Sequence, residues 1–267
     1  MSSIANADAW LERVFDPISL AALNSKAEML ERLDNKYVVD AAVLRRAICE
    51  FAEHFDILEI GGRRAFTYET CYFDDARRQS YFDHHQGRRQ RAKVRIRKYI
   101  EAGLCFVEIK LKDKRGVTIK KRLSYDAGKF GTLDAAALAY IQNTYFEHYG
   151  QAFPHELSRV VDMRYVRMTL VAKEGGERMT IDGQLRFFDP TSSHAVDDVV
   201  FILETKSARG NGIADRILRR LHQHPTKHCS KYCAAIAVLN EGTKHNRFLP
   251  ALRKLRSAPE QRKLLAA

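Results

Sequence analysis

The chain has 267 residues, 45% hydrophobic and 29% charged, enough to bury a core as one large domain or two small ones. Lysine and arginine number 45 against 33 acidic residues, a formal charge of +12, which points to an anionic partner: nucleic acid, a membrane surface or a phosphorylated small molecule. No window approaches 18 consecutive apolar residues, and the polar, acidic start MSSIANADAWLERVFDP lacks the basic and apolar regions of a signal peptide, so neither a membrane span nor secretion is expected.

Residues 8–15 and 20–31 carry apolar positions at helical spacing and read as short N-terminal helices (1–30) separated by Asp16-Pro17. A strand follows over 31–39, with Lys36 and Val38 on one face, and Asp40 is a plausible N-cap for a helix over 41–55. Residues 66–74 form a β-rich run, and 75–91 read as a very basic loop in which His84-His85 is a solvated surface pair.

The stretch Arg91–Arg122 contains three strictly alternating runs, each with a charged face. Lys93, Arg95 and Arg97 share one face; Glu108, Lys110 and Lys112 share the next; Thr118, Lys120 and Arg122 share the third. Breaks at 101–103 and 113–116 would lay these strands antiparallel with their charges together. Like charges abreast destabilise a sheet, so a lone hairpin of this kind reads as a solvent-screened surface.

A helix is predicted over 126–150, stopped by Gly150. Strands are predicted over 161–171, with Tyr165 and Arg167 on one face, over 178–186, with Arg178, Asp182 and Arg186 together, and over 199–206, ending in Glu204 and Lys206. Helices follow over 212–222 and 243–255, with Cys229-Ser230-Lys231-Tyr232 ahead of a small-residue apolar run. The last 27 residues, 241–267, are read as a C-terminal helix packed on the main domain, 31–240.

The cation ladder therefore recurs on separate strands, always opposite an apolar face. The expected fold is α+β: a closed antiparallel β-barrel of about eight strands, with apolar sides outward under helices and a basic lumen. In such a lumen a bound polyanion and a few carboxylates relieve the repulsion.

In these motifs the sequence resembles the bacterial VTC-domain proteins, related to the catalytic domain of the vacuolar transporter chaperone polyphosphate polymerase and belonging to the triphosphate tunnel metalloenzymes. The likeness runs from Glu31 to Leu239 through Glu31-Arg32, Lys36-Tyr37, Tyr72-Phe73-Asp74, Arg95-Ile96-Arg97, Val107-Glu108-Ile109-Lys110, Lys120, Tyr165-Val166-Arg167, Arg178 with Thr180-Ile181-Asp182, Leu203-Glu204-Thr205-Lys206 and Ser230-Lys231-Tyr232. The resemblance implies Arg95, Arg97, Lys110, Lys120 and Arg167 as catalytic cations. It implies Lys36, Arg122, Tyr165, Arg178, Lys206, Ser230 and Lys231 as phosphate contacts, and Glu204, with Glu108 second, as ligands of Mn²⁺ or Mg²⁺. His228 stands where the family has a second lysine, with Lys227 one position further back, and the arginine upstream of Arg95 has three candidates in Arg88, Arg89 and Arg91. Inositol-phosphate sensing and coupled membrane translocation are not implied, because the corresponding domains are missing from the sequence.

Other readings compete residue by residue. Glu204 by spacing alone is an ion partner of Lys206, Glu108 a counter-charge for Lys110 and Arg97, and Tyr165 a packing residue; Asp182 would orient a lumen arginine or start a turn. His222, His224, His228, Cys229 and Cys233 are zinc-type ligands, but their spacing fits no standard finger. The five cysteines, odd in number and scattered, read as reduced thiols of a cytoplasmic protein. The leading functional expectation is an ATP-dependent, metal-dependent polyphosphate polymerase acting on ATP and polyphosphate. The runner-up is a hydrolase of tripolyphosphate or nucleoside triphosphates. The third is a non-catalytic binder of polyanions or nucleic acid, for which cations would lie on an outer face among aromatics.

Overall fold

The computed structural model describes residues 13–26, 33–112, 118–154, 156–240 and 242–256. Its strands are β1 (Asp16–Ile18), β2 (Leu33–Asp40), β3 (Phe55–Leu58), β4 (Ala65–Asp74), β5 (Arg91–Tyr99), β6 (Leu104–Lys112), β7 (Thr118–Ser124), β8 (Ser158–Ala172), β9 (Arg178–Phe188), β10 (Ser193–Ala195) and β11 (Val200–Ser207). Its helices are α1 (Leu20–Lys26), α2 (Ala41–His54), α3 (Gln79–Gln86), α4 (Ala135–Tyr149), α5 (Ile213–Arg220), α6 (Lys231–Leu239) and α7 (Leu249–Arg256). Most of the helix expected over 8–15, the end of that over 20–31, and Glu31-Arg32 lie outside the described residues. Among those residues no helix is long and apolar enough to cross a membrane.

Local signals set many of these bounds. Asp40 caps α2, its Oδ1 accepting from the Val43 amide at 2.8 Å. Gly150 ends α4 at φ 68°, a left-handed conformation that glycine adopts without strain. The basic segment 75–91 is not the expected open loop. It contains α3, with His85 buried and bonded to Asn246 at 2.6 Å and His84 Nδ1 2.8 Å from the Ser80 carbonyl oxygen. Two ring contacts, His85 on Phe248 and Tyr81 on Phe248, hold this helix to the C-terminal segment, so His85 is a packing group.

All the strands belong to one sheet whose main path is β2-β11-β9-β8-β4-β5-β6-β7, antiparallel throughout. The α+β class and the eight-strand path are as the sequence predicts, but the closed barrel is not: β2 and β7 end the path and share no ladder among the described residues. Both edges are occupied otherwise. Thr226 takes the free edge of β2, its amide donating to the Lys36 carbonyl at 2.6 Å and its hydroxyl accepting from the Val38 amide at 3.3 Å. The β7 edge carries exposed Lys120, Lys121 and Arg122, charges that discourage further strand pairing.

The sheet nevertheless curls: Val38 on β2 and Tyr72 on β4 pack on the same helix, α6, and Lys93 on β5 reaches its N-cap Ser230. Its convex face is apolar. One side packs Tyr37, Leu203, Ile181 and Leu170 under α2 and α5, and the other packs Ile96, Val107 and Ile109 under α4. The concave face is only partly basic. At one end α6 lies against it, with Tyr232, Cys233, Ala235 and Ile236 on Val38, Tyr72, Met163, Phe187 and Ile202. Small residues in the run CAAIAV let this helix approach the sheet closely, so one helix sits inside the curl rather than around it.

Candidate functional site in the curled sheet

Strand alternation carries the lumen side chains. Tyr37 and Val39 face the outer core, which turns Lys36 inward; the same parity turns Glu204, Thr180, Arg95, Arg97, Glu108 and Lys110 inward. Register then sets neighbours abreast. Glu204 lies between Lys36 and Thr180, Arg167 lies beside Asp182, and Arg95 lies beside Glu108. Lys93, Lys110 and Lys120 stand in one row across β5, β6 and β7.

Three carboxylates organise the cations. Glu108 is fully buried; its Oε2 accepts from Arg95 Nε at 2.7 Å and from Arg95 Nη2, and its Oε1 accepts from Lys120 Nζ at 3.0 Å. Burial alone would raise the Glu108 pKa, but Arg95, Arg97 and Lys120 hold it far below the carboxylate range. Asp182, also fully buried, receives Arg167 in a fork (Nε at 2.5 Å, Nη2 at 2.7 Å) and accepts from Lys231 as well. Against its burial, Arg167 and Lys231 lower its pKa. Glu204 accepts from Lys206 through Oε1, and Lys206 also reaches Asp34 at 3.1 Å. Burial opposes ionisation of Glu204, but Lys36, Lys206, Lys110 and Arg167 keep it well below the usual range.

The remaining cations stay underpaired. Among the described residues, neither Lys36 Nζ nor Lys110 Nζ makes a hydrogen bond or ion pair. Glu204 raises the Lys36 pKa, whereas the charge of Arg95 and then burial push Lys110 well below the lysine range. Burial also lowers Lys93 and Lys120. Arg97 bonds Thr70 Oγ1 at 3.2 Å and lies over Tyr68 and Tyr165, 5.5 and 5.9 Å from the ring centres. Arg167 and Lys231 lie over the same Tyr165 ring, at 5.4 and 5.0 Å. The Tyr165 hydroxyl is buried in this cationic ring with no hydrogen-bond partner.

Two of the sequence-derived residues sit at the rim. Arg122 is exposed on β7 over Phe106, at 4.7 Å, and Arg178 donates to Asn24 of α1 at 3.3 Å. Ser230 is the N-cap of α6, accepting from the Cys233 amide at 3.4 Å, and it also accepts from Lys93 Nζ at 2.9 Å. Lys93 is the residue that the motif reading passed over. The alternation Lys93-Arg95-Arg97 already placed it on the lumen face, and its bond to Ser230 is the new information. Asp74 was likewise seen only as a motif end. It is buried and accepts from the Ser80 and Tyr81 amides and from the Tyr232 hydroxyl, tying β4, α3 and α6 together.

Among the described lumen carboxylates, Glu204 offers a divalent ion the less engaged oxygen. Among the described residues no three His, Cys, Asp or Glu side chains cluster as a metal site. Both oxygens of Glu108 and both of Asp182 are engaged by cations, leaving Glu204 Oε2 as the lumen carboxylate oxygen without a bonded cation. Mg²⁺ and Mn²⁺ are bound by few carboxylates together with phosphate oxygens and water, which suits a single glutamate.

The site is thus a curled antiparallel sheet with cations converging on its concave face and a helix plugging one end. The chain belongs to the VTC domain family, whose model matches residues 31–240. No curated protein matches it. Among solved structures it is similar to a Hippeastrum protein, a candidate adenylyl cyclase reported to have a dominant triphosphatase activity (15% identity, 78% of this chain and 96% of that one, TM-score 0.51). It is also similar to a candidate adenylate cyclase from Bacillus halodurans (12% identity, 74% and 94%, TM-score 0.47) and to a Pyrococcus horikoshii protein (15% identity, 79% and 99%, TM-score 0.44). At 15% identity the likeness to the Hippeastrum protein is one of fold.

Proposed function

We propose that the protein is a metal-dependent phosphotransferase that moves the γ-phosphate of ATP to the end of a polyphosphate chain lying in the lumen. The observation that carries this reading is the pairing state of the lumen. Cations outnumber carboxylates, each of the three carboxylates holds a cation, and among the described residues Lys36 and Lys110 bond none. Phosphoryl transfer needs phosphates held in line and their charge neutralised, and this set of arginines and lysines does both. Arg95, Arg97 and Arg167 supply planar donors, and Lys36, Lys110 and Lys120 supply point charges. Lys206, Ser230, Lys231 and Tyr165 line the flanks, with Arg122 and Arg178 at the rim. A divalent ion, Mn²⁺ or Mg²⁺, on Glu204 and the phosphate oxygens would neutralise charge on the transferring group.

The terminal phosphate of a chain is already an oxyanion at neutral pH, so as acceptor it attacks the γ-phosphorus without a base: the new P–O bond forms, the β–γ bridge breaks and ADP leaves. A water acceptor would instead draw on the divalent ion for activation. Phosphate beside the depressed lysines would favour their charged forms. Free cysteines at all five positions support a reducing, cytoplasmic location, where ATP is available. Incubating the protein with ATP and Mn²⁺ should yield polymer on a gel. Clean release of phosphate would favour the second reading, a triphosphatase, for which the activity reported for the Hippeastrum protein is the supporting observation. The cations lie on the concave face under paired carboxylates, which weighs against a nucleic-acid binder.

A further inference from the structure

Thr180 belongs to none of the cation or carboxylate sets above, yet its hydroxyl is the odd group in the lumen. It lies on the concave face of β9, directly abreast of Glu204 on β11 and Thr169 on β8, while its neighbours Met179 and Ile181 face the outer core. The residue is 4% exposed, and its Oγ1 has no hydrogen-bond partner among the described residues. A buried hydroxyl without a partner is costly, and valine has nearly the same shape without that cost. Glu204, the adjacent side chain, has one oxygen occupied by Lys206 and the other without a bonded cation. An unpartnered hydroxyl beside a half-occupied carboxylate forms a two-point holder for oxygen.

We propose that Thr180 Oγ1 binds an oxygen of the ligand that Glu204 holds, either a water on the divalent ion or a phosphate oxygen beside it. The inference rests on the phosphotransferase reading above and deepens it by adding an uncharged contact to the site. Threonine can donate to phosphate or accept from a metal-bound water, so the shared chemistry is an oxygen ligand and the two sources are separable by experiment.

The test compares wild type with Thr180→Val and Thr180→Ser. Without ligand, Thr180→Val should melt no lower than wild type, because no internal hydrogen bond is lost; a clear drop in Tm would overturn the proposal. Mn²⁺ alone, titrated by electron paramagnetic resonance, and tripolyphosphate in excess chelator, titrated by calorimetry, form the two arms. Loss of one hydrogen bond predicts binding weaker by about 3- to 10-fold in at least one arm, restored by serine. Weakening in the Mn²⁺ arm identifies the metal's water, and weakening in the tripolyphosphate arm identifies a phosphate oxygen. If wild type binds both ligands and Thr180→Val binds them equally well, the hydroxyl faces a solvating water only and this inference alone fails. If wild type binds neither ligand, the phosphotransferase reading fails and this inference falls with it.

Discussion

Lys93 and Lys110 stand directly abreast on β5 and β6, and Lys120 continues the row on β7. Lys93 is bonded to a hydroxyl, Lys120 to Glu108, and Lys110 to no partner among the described residues. Like charges abreast destabilise a sheet, so Lys110 costs the ligand-free protein stability that a phosphate would return. Lys110→Met should therefore raise the ligand-free Tm by about 2 °C and weaken tripolyphosphate binding by about 10- to 100-fold. Paired melting curves and calorimetry read both effects; a lower Tm in the variant contradicts this account of the row.

The same row sets a pH dependence. Lys93, Lys110 and Lys120 are all shifted below the ordinary lysine value without ligand, and phosphate alongside would raise them. A group whose pKa rises on binding takes up protons, so affinity should fall as pH climbs through the depressed lysine values, sooner than for ordinary lysines. Calorimetry of tripolyphosphate binding in buffers of different protonation enthalpy should show net proton uptake, and net release would count against the assignment.

Glu108 holds Arg95 and Lys120 from a fully buried position, so its removal leaves Arg95 buried and unpaired. Glu108→Gln should cost about 3 kcal/mol, seen as a fall in Tm of roughly 10 °C. Its folded pKa lies below its unfolded value, so its stabilising effect is complete above the unfolded value and disappears as pH falls further. The difference in Tm between wild type and variant should accordingly shrink on going from about pH 6 to pH 3. A difference independent of pH would mean that the charge of Glu108 is not what matters.

Glu204 has the opposite profile. With one oxygen on Lys206 and the other turned to the lumen, Glu204→Ala should abolish metal-dependent turnover while tripolyphosphate binds equally well or more tightly, since a negative charge has gone. Turnover with ATP and binding in chelator separate the two effects. Unchanged turnover would remove Glu204 from the site.

Asp74 supports the site from outside it. Asp74→Ala should destabilise the protein by about 3 kcal/mol, because two α3 amides and the Tyr232 hydroxyl lose their acceptor together. Tyr232→Phe removes one of these bonds and should cost less. Both variants should weaken tripolyphosphate binding, because Tyr232 anchors the helix whose first turn carries Ser230 and Lys231.

The sequence alone determined which residues share a face. Period-two alternation is a property of the extended backbone, so Arg95 with Arg97, Glu108 with Lys110, and Glu204 with Lys206 could be read from spacing, as could the caps at Asp40 and Gly150. Tertiary structure decided which faces meet and which groups pair. Register put Asp182 beside Arg167 and Thr180 beside Glu204, and alternation within one strand does not say which residue of its neighbour it faces. Among the described residues the ladders end at β2 and β7, with Thr226 bonded along the β2 edge, where alternation suggested a closed barrel. The small-residue helix α6 entered the concave face because its burial there is decided by packing volume, to which charge periodicity is blind.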